Sequence, residues 1–119
     1  MENKRRLGSA YEAMAVEYLK GKGCFILARN FRCRQGELDI VARDGRYLVF
    51  VEVKYRRDSS FGDPLEAVDA KEQRRICAAA SYFCQCNGYG GEEPCRFDVV
   101  AIDGRNELTH LEHAFEYQI

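Results

Sequence analysis

The fold is decided at residues 36–54, which have the sequence GELDIVARDGRYLVFVEVK. The Asp44-Gly45 dipeptide in the middle predicts a tight turn, because both residue types tolerate the positive φ that hairpin turns need. The segments on either side are rich in Val, Ile, Leu, Phe and Tyr. We therefore predict two antiparallel strands that are mostly buried. The alternative is a hairpin with one face in solvent.

Four charged side chains interrupt this apolar hairpin. With a two-residue loop at the Asp-Gly turn, Glu37 lies opposite Glu52, and Asp39 is the diagonal neighbour of Glu52, about 7–8 Å away at the backbone. Lys54 shares their face, because side chains alternate along a strand. Burying charges is costly unless they are paired or bind a metal, so we expect function here. A three-residue loop would turn one arm over and separate the group.

Composition narrows the class of protein. The chain has 119 residues, of which 46% are hydrophobic and 31% charged. This length predicts one domain over residues 1–119, able to bury a core without metals or disulfides. Residues 1–75 carry 16 Lys and Arg against 12 Asp and Glu, whereas residues 76–119 carry 2 against 7. The asymmetry favours a local basic groove for a polyanion over a wholly basic surface.

Six cysteines raise the question of disulfides or a metal cluster. The N-terminus does not resemble a signal peptide, and no apolar run reaches the roughly 20 residues of a membrane span. We therefore expect a cytoplasmic protein without a membrane partner, whose thiols are reduced and mostly buried. A site formed by Cys84, Cys86 and Cys95 is the weaker alternative, because the paired Cys-x2-Cys spacing of structural zinc sites is missing.

Two helices flank the hairpin along the chain. Residues 7–22 have apolar side chains three and four apart, the spacing of one helical face. Glu12 lies at the margin of this stripe, where it is either held between helix and sheet or solvated. Asp63 followed by Pro64 supplies an N-cap acceptor and a proline at the first helical position. This start predicts a second helix that ends at about Cys86.

The remaining segments complete an α-β-β-β-α-β-β order. Further strands are predicted at residues 24–28, 96–102 and 107–115, and polar connections at residues 30–36 and 55–62. The second helix should return the chain so that the strand at 96–102 is parallel to one strand of the three-strand meander. We therefore predict an α/β fold with a mixed sheet and helices packed on it. In the last strand, His110 and His113 should face opposite ways, which argues against a metal pair.

The hairpin acids and lysine suit metal-assisted hydrolysis of a phosphodiester. Mg²⁺ prefers oxygen ligands and usually takes one or two carboxylates, so Asp39 and Glu52 are candidate ligands, with the Val53 carbonyl as a further oxygen. A bound cation lowers the pKa of coordinated water and stabilises charge on the phosphate. Lys54 can orient that water or stabilise the transition-state charge. Without a cation the acids would repel one another, which favours a cation site over a purely structural salt bridge.

The arrangement Asp39-x12-Glu52-x-Lys54 on a hairpin, after a helix bearing Glu12, resembles the PD-(D/E)XK nuclease superfamily of restriction endonucleases and archaeal Holliday junction resolvases. The closer resemblance, over nearly the whole chain, is to the small bacterial YraN family of predicted endonucleases. It rests on Gly8-x3-Glu12-x2-Ala15-x2-Tyr18-Leu19, Arg29-Asn30, Gly36-Glu37-Leu38-Asp39-Ile40, Phe50-Val51-Glu52-Val53-Lys54, Lys71 and Arg96-Phe97-Asp98-Val99-Val100.

This resemblance implies a restriction-endonuclease-like αβββαβ core with Mg²⁺ or Mn²⁺ as the cofactor. It implies that Asp39 and Glu52 are metal ligands and that Lys54 is the catalytic lysine. Glu12 would be an additional catalytic acid carried on a helix, as in the resolvases. One departure is Leu38, which stands where the superfamily's name has proline. The proline is often absent across the superfamily, so the expected fold is unaffected.

The leading hypothesis is a Mg²⁺- or Mn²⁺-dependent endonuclease that cuts DNA, with branched or otherwise structured DNA as a candidate substrate. A nucleic-acid-binding module without cleavage is the alternative, and a protein-interaction subunit is a third. The candidate phosphate contacts are Arg32, Arg34, Arg56 and Lys71, whereas Arg74 and Arg75 are expected to be solvated. No base-reading motif accompanies them, so we expect binding without base-sequence specificity. A homodimer would suit the cutting of two strands.

Overall fold

The computed structural model describes residues 4–57 and 63–118, with side chains of the first helix described from residue 8 onward. The elements are helix α1 (Lys4–Gly21), strands β1 (Phe25–Arg32), β2 (Glu37–Asp44) and β3 (Tyr47–Arg56), a 3-10 turn (Pro64–Ala67), helix α2 (Ala70–Cys86), and strands β4 (Cys95–Asp103) and β5 (Leu108–Phe115). The predicted element order is confirmed. The connection predicted at 55–62 begins inside β3, and its residues 58–62 lie outside the described part of the chain.

A five-stranded mixed sheet forms the centre, with its strands in the order β1-β2-β3-β4-β5. Strands β1, β2 and β3 form an antiparallel meander, β4 runs parallel to β3, and β5 runs antiparallel to β4. Helix α2 is the crossover between the two parallel strands, as the sequence predicts. The α/β fold with a mixed sheet and packed helices is confirmed, and it is consistent with a restriction-endonuclease-like fold.

Each face of the sheet carries its own apolar cluster, because a helix covers each face. Leu48 and Phe50 of β3 pack under α2, whereas Val49 and Val51 pack under α1. This division follows from the alternation of side chains along a strand. All four are buried, so the prediction that the hairpin is buried on both faces is confirmed.

The hairpin turn lies one residue later than predicted. Asp44 still pairs with Tyr47, so the two loop residues are Gly45 and Arg46. Gly45 has a φ of 60°, as the first central residue of a type II′ turn requires. Asp44 stays in the strand, where its Oδ2 accepts a hydrogen bond from Nη2 of Arg96 at 3.0 Å. Moving a two-residue loop by one position changes each cross-strand partner by two, so Asp39, Glu52 and Lys54 keep their predicted common face.

The single helix predicted from Asp63 to about Cys86 is wrong, because this segment contains two helical pieces. Asp63 caps only the 3-10 turn. Val68 then takes an extended conformation and is buried in the core. Asp69 starts α2 by accepting a hydrogen bond from the N–H of Glu72 at 2.8 Å. The segment carries two N-cap acceptors in succession, and the first one caps a single turn.

Strand β1 is longer than predicted and contains an unusual residue. It extends to Arg32, which shortens the connection before β2 to residues 33–36. Asn30, inside this strand, has a φ of 53°. Asparagine is one of the few residues that visit this left-handed region readily. The expected polar loop therefore forms only in its second half.

A buried acid ties β4 to β5 and α1. Asp98 accepts hydrogen bonds from Nε of Arg96 at 2.9 Å and from the backbone N–H of His113 at 3.0 Å, and its Oδ2 lies 2.7 Å from Nε2 of His110. Nδ1 of His110 lies 3.1 Å from the hydroxyl of Tyr18 on α1. Burial would raise the pKa of Asp98, but these hydrogen bonds hold it below its usual value. The His110 ring is buried, whereas the His113 ring is exposed.

The six cysteines test the expectation of reduced, mostly buried thiols. All six thiols are free. Only Cys24 and Cys77 are buried, so the prediction of mostly buried thiols is wrong.

Over the ranges 4–57 and 63–118, neither helix is both long and apolar enough to cross a membrane.

The connection between β1 and β2 is pressed against α2 at Gly36. A Cβ there would lie 3.0 Å from the carbonyl oxygen of Arg75, and helix backbone has little freedom to move away. We expect Gly36→Ala to lower the free energy of unfolding by about 1–3 kcal/mol, measured by urea denaturation. Gly8→Ala is the matched control, because a Cβ in that helix meets nothing within 4 Å. It should leave stability unchanged or raise it by up to about 1 kcal/mol. Equal losses in both variants would contradict the steric explanation.

Candidate functional site

The hydrogen-bond ladder between β2 and β3 ends just before the hairpin acids. Its last pair is Ile40 with Val51. Beyond this pair, Oδ2 of Asp39 accepts a hydrogen bond from the backbone N–H of Val53 at 2.9 Å. The Asp39 carboxylate thus replaces the backbone carbonyl that would have continued the ladder. The two strands separate at this point and leave a gap.

A local irregularity in β1 and β2 accounts for the separation. Asn30, in its left-handed conformation, lies opposite Asp39 and between the pairs formed by its two neighbours in β1. Leu38 and Val41 both pack under α2, although regular alternation would place them on opposite faces. The backbone of β2 therefore turns at Asp39, away from β3.

Asp39 and Glu52 form a close pair of acids at the gap. In the register of the last ladder pair, Ile40 with Val51, Asp39 falls opposite Glu52 instead of on the predicted diagonal, and Glu37 does not fall opposite Glu52. Burial raises the pKa of Asp39, and the hydrogen bonds from Glu52 and Val53 offset this only in part. Burial and the Asp39 charge raise the pKa of Glu52 well above its usual value. Both shifts favour a proton or a cation held between the two acids.

The backbone of Val53 adds an oxygen to this gap. In an extended strand, the N–H and C=O of one residue point to the same side. Because the Val53 N–H points to Asp39, its carbonyl also faces the gap. Among the described residues, no three His, Cys, Asp or Glu side chains are grouped as they would be around a metal ion. A cation here would be held by two carboxylates, one backbone oxygen and water, a set that suits Mg²⁺.

Lys54 lies beside the acid pair but makes its shortest contact with α2. Its Nζ is 2.6 Å from Oε1 of Glu72 and 4.0 Å from Oε1 of Glu52. Burial would lower the pKa of Lys54, but the hydrogen bond with Glu72 and the charge of Glu52 raise it above its usual value. Lys54 is therefore an ammonium ion at neutral pH.

Glu72 is a site residue that the sequence analysis missed. It lies three residues after the cap Asp69, the position of a capping-box glutamate. That pattern predicts a side chain turned back toward the N–H of the cap. Here it turns toward Lys54 instead. The available sequence signal thus indicated helix capping and gave no sign of the contact with β3.

Glu12 approaches the acids from α1. Its Oε1 is buried and has no hydrogen-bond partner in the part of the chain that is described. Burial, followed by the charge of Asp39, raises the pKa of Glu12. Of the two alternatives left open by the sequence, the structure therefore favours the position between helix and sheet. Glu12 also borders a groove of about 420 Å³ between α1 and β1.

The acid pair opens into a second groove, of about 430 Å³, between the β1–β2 connection and α2. Its acidic side chains are Glu37, Asp39, Glu52 and Glu72, and its basic side chains are Arg32, Arg34 and Arg75. The acids come from β2, β3 and α2, and the arginines come from both sides of the groove, two from the end of β1 and its connection to β2 and one from α2. This arrangement can bring a phosphate group close to a cation bound by the acids.

The predicted phosphate contacts are placed differently from one another. Arg32 lines the groove, and its Nε donates a hydrogen bond to Oε1 of Glu37 at 3.2 Å. Arg34 also lines the groove and is exposed. Lys71 is exposed at the start of α2, one turn before the groove-lining Arg75. Arg56 borders a separate pocket with Arg57, Glu66 and Ala67.

Arg75 was expected to be solvated, and sequence reasoning missed its place in the groove. It lies four residues after Lys71, so the two side chains share one face of α2. This spacing is the signal that could have grouped them.

Comparison with known proteins assigns the chain to a protein family. The uncharacterised protein family UPF0102 matches residues 11–102. The chain belongs to the UPF0102 family. A UPF0102 protein of Pseudomonas putida strain F1 is 48% identical over 115 residues, covering 93% of this chain and 94% of the relative. A UPF0102 protein of Stutzerimonas stutzeri strain A1501 is 43% identical over 119 residues, covering 98% of this chain and 99% of the relative. A UPF0102 protein of Lachnoclostridium phytofermentans is 47% identical over 114 residues, covering 96% of each.

The UPF0102 match includes Glu12, Asp39, Glu52 and Glu72.

The raised pKa of Glu52 leads to a test of what this acid costs the stability of the fold. An acid whose pKa is higher in the folded chain costs stability above its unfolded pKa of about 4.3, and nothing below it, where both states are protonated. In a metal chelator, we expect Glu52→Gln to raise the free energy of unfolding by about 1–3 kcal/mol at pH 8 and by almost nothing at pH 4.

Urea denaturation at the two pH values measures this difference. Glu66→Gln, which removes an exposed acid outside the groove, is the matched control and should have little effect at either pH. A gain for Glu52→Gln that is as large at pH 4 as at pH 8 would show that the acid pair carries no such cost.

Proposed function

We propose that this UPF0102 protein is a Mg²⁺- or Mn²⁺-dependent endonuclease that hydrolyses phosphodiester bonds in DNA. The observation that carries the proposal is the close pair of acids, Asp39 and Glu52, at the gap between two strands and facing an arginine-lined groove. The resemblance of the hairpin to the PD-(D/E)XK superfamily and to the YraN family supports the same activity. Fold alone would not, because one fold can host many functions.

The donor set fits a divalent cation. Asp39, Glu52 and the Val53 carbonyl would hold it, and the raised pKa values of the two acids indicate that their charge is not neutralised by the protein alone. The unpartnered buried oxygen of Glu12 adds to this excess of acceptors. When bound, the cation would lower the pKa of a coordinated water and neutralise charge on the scissile phosphate.

The chain's own residues would orient the reaction. The N–H of Val53 fixes one oxygen of Asp39 and thereby the direction of its carboxylate. Lys54 would place a positive charge where negative charge develops on the phosphate. Glu12 would contribute a further acid from the α1 side. These roles assign the catalytic work to groups carried on strands and a helix, which hold side chains more rigidly than loops do.

The substrate would be bound through its phosphates. Arg32, Arg34 and Arg75 line the groove, and Lys71 and Arg56 would extend the contact beyond it. Phosphate contacts position a nucleic acid but do not identify bases. We therefore propose binding without base-sequence specificity. Branched or otherwise structured DNA is the preferred class by analogy with the resolvases, and a homodimer would let two sites cut two strands.

The activity is tested with a panel of duplex, single-stranded, flap and four-way-junction DNAs in Mg²⁺ and in Mn²⁺. We expect cleavage of at least one substrate. Asp39→Asn, Glu52→Gln and Lys54→Met should each slow it by about 100-fold or more, the effect of losing one group that stabilises developing charge. Glu66→Gln, which carries the same charge change outside the groove, should cut like the wild type. Cleavage that persists unchanged in Asp39→Asn would exclude this site as its source.

A second candidate is a nucleic-acid-binding module that does not cut. One observation favours it: Lys54 is held by Glu72 on α2. This candidate needs the arginine-lined groove but not the acid pair.

Salt-dependent binding tests the groove itself, whether or not the protein cuts. We expect Arg34→Ala and Arg75→Ala each to weaken DNA binding and to reduce the slope of log affinity against log salt by about one. Arg46→Ala is the matched control, because Arg46 is exposed at the hairpin turn, the far end of β3 from the acids. Fluorescence anisotropy over a salt series measures all three. Identical slopes in every variant would place the binding surface elsewhere.

A further inference from the structure

We propose that Glu72 is a positioning residue for Lys54: it holds the Lys54 ammonium on the α2 side of the groove and so leaves the Asp39–Glu52 pair for a divalent cation. The inference rests on the proposed function, because it assumes that a cation binds this pair. It adds a residue, and a role for that residue, to the site.

The distances show which acid binds Lys54. Nζ to Oε1 of Glu72 is 2.6 Å, the length of a strong charge-assisted hydrogen bond. Nζ to Oε1 of Glu52 is 4.0 Å, beyond hydrogen-bond length. Both Lys54 and Glu72 are about two-thirds or more shielded from solvent, with side-chain exposures of 27% and 32%. Lys54 is therefore paired with the helix although its strand neighbour is also an acid.

Without the charge of Glu72, the Lys54 ammonium would bind the acid pair. Its ammonium is a compact charge on a flexible four-carbon stem, and Glu52 is already only 4.0 Å away. If Glu72 lost its charge, the closest remaining acids would be Glu52 and its partner Asp39. The ammonium would then neutralise this pair from within the protein. A divalent cation would have to displace it, so its apparent affinity would fall.

The first turn of α2 holds Glu72 firmly. Its N–H donates to Oδ1 of Asp69 at 2.8 Å. The helix start is anchored by Val68, which is buried and whose carbonyl accepts a hydrogen bond from Nε2 of Gln73 at 3.0 Å. The Glu72 side chain does not turn back to the Asp69 N–H and binds Lys54 instead. The extended residue Val68, between the 3-10 turn and α2, therefore sets the position from which Glu72 reaches β3.

A double-mutant cycle on metal binding tests the role without using cleavage. Mn²⁺ affinity, measured by electron paramagnetic resonance without nucleic acid, is compared among wild type, Glu72→Gln, Lys54→Met and the double variant. We expect Glu72→Gln to weaken Mn²⁺ binding by about tenfold, within the range of coupling between contacting residues. In the Lys54→Met background the same change should matter less than about twofold, because no ammonium remains to compete. Glu66→Gln should bind Mn²⁺ like the wild type.

The outcomes separate this role from the proposed function. An equal loss of affinity for Glu72→Gln in both backgrounds would mean that Glu72 attracts the cation directly, and would overturn the positioning role alone. Asp39→Asn is measured in parallel. If it binds Mn²⁺ as tightly as the wild type, or if the wild type binds none, the cation site itself is wrong and both proposals fail.

Discussion

The hydrogen bond from the Val53 N–H to the Asp39 carboxylate is the interaction on which the site depends. Where two strands separate, each N–H that faced the partner strand loses its acceptor, and a buried unpaired N–H is costly. Asp39 supplies that acceptor from a side chain. The same bond holds the carboxylate against Glu52 and directs the Val53 carbonyl into the gap. One hydrogen bond thus allows the sheet to open and arranges three oxygens at the opening.

Much of the fold follows from patterns that are local in sequence. The continuous apolar run of β3 indicates burial on both faces, and a helix between two strands indicates a parallel crossover. The hairpin shows how robust such inference is. The predicted turn at Asp44-Gly45 is one residue too early, yet Asp39, Glu52 and Lys54 still share one face. Side chains keep a common face whenever the cross-strand partners shift by an even number of residues. Which residues lie directly opposite each other, however, depends on the position of the turn.

The rest of the site depends on how elements dock, which local patterns do not encode. Glu72 meets Lys54 only because α2 restarts after Val68, and a continuous helix from Asp63 would have presented a different face to the sheet. The left-handed conformation of Asn30 is likewise one of several that asparagine adopts, and only its tertiary surroundings select it. Arg75 reaches the groove for the same reason. These contacts join segments far apart in sequence, so spacing could not reveal them.

Asp98 and the Asp39–Glu52 pair differ in a way that indicates their purposes. Asp98 is fully buried, yet an arginine, a histidine and a backbone N–H satisfy it, and its pKa is lowered. Asp39 and Glu52 are also sheltered, but they face each other, and their pKa values are raised. The chain can therefore neutralise an acid when the fold needs it. It leaves the hairpin pair without such neutralisation, and its nearest cation, Lys54, is held by Glu72. Two adjacent carboxylates without a neutralising partner lower the stability of the fold, and a cation from solution would remove that cost.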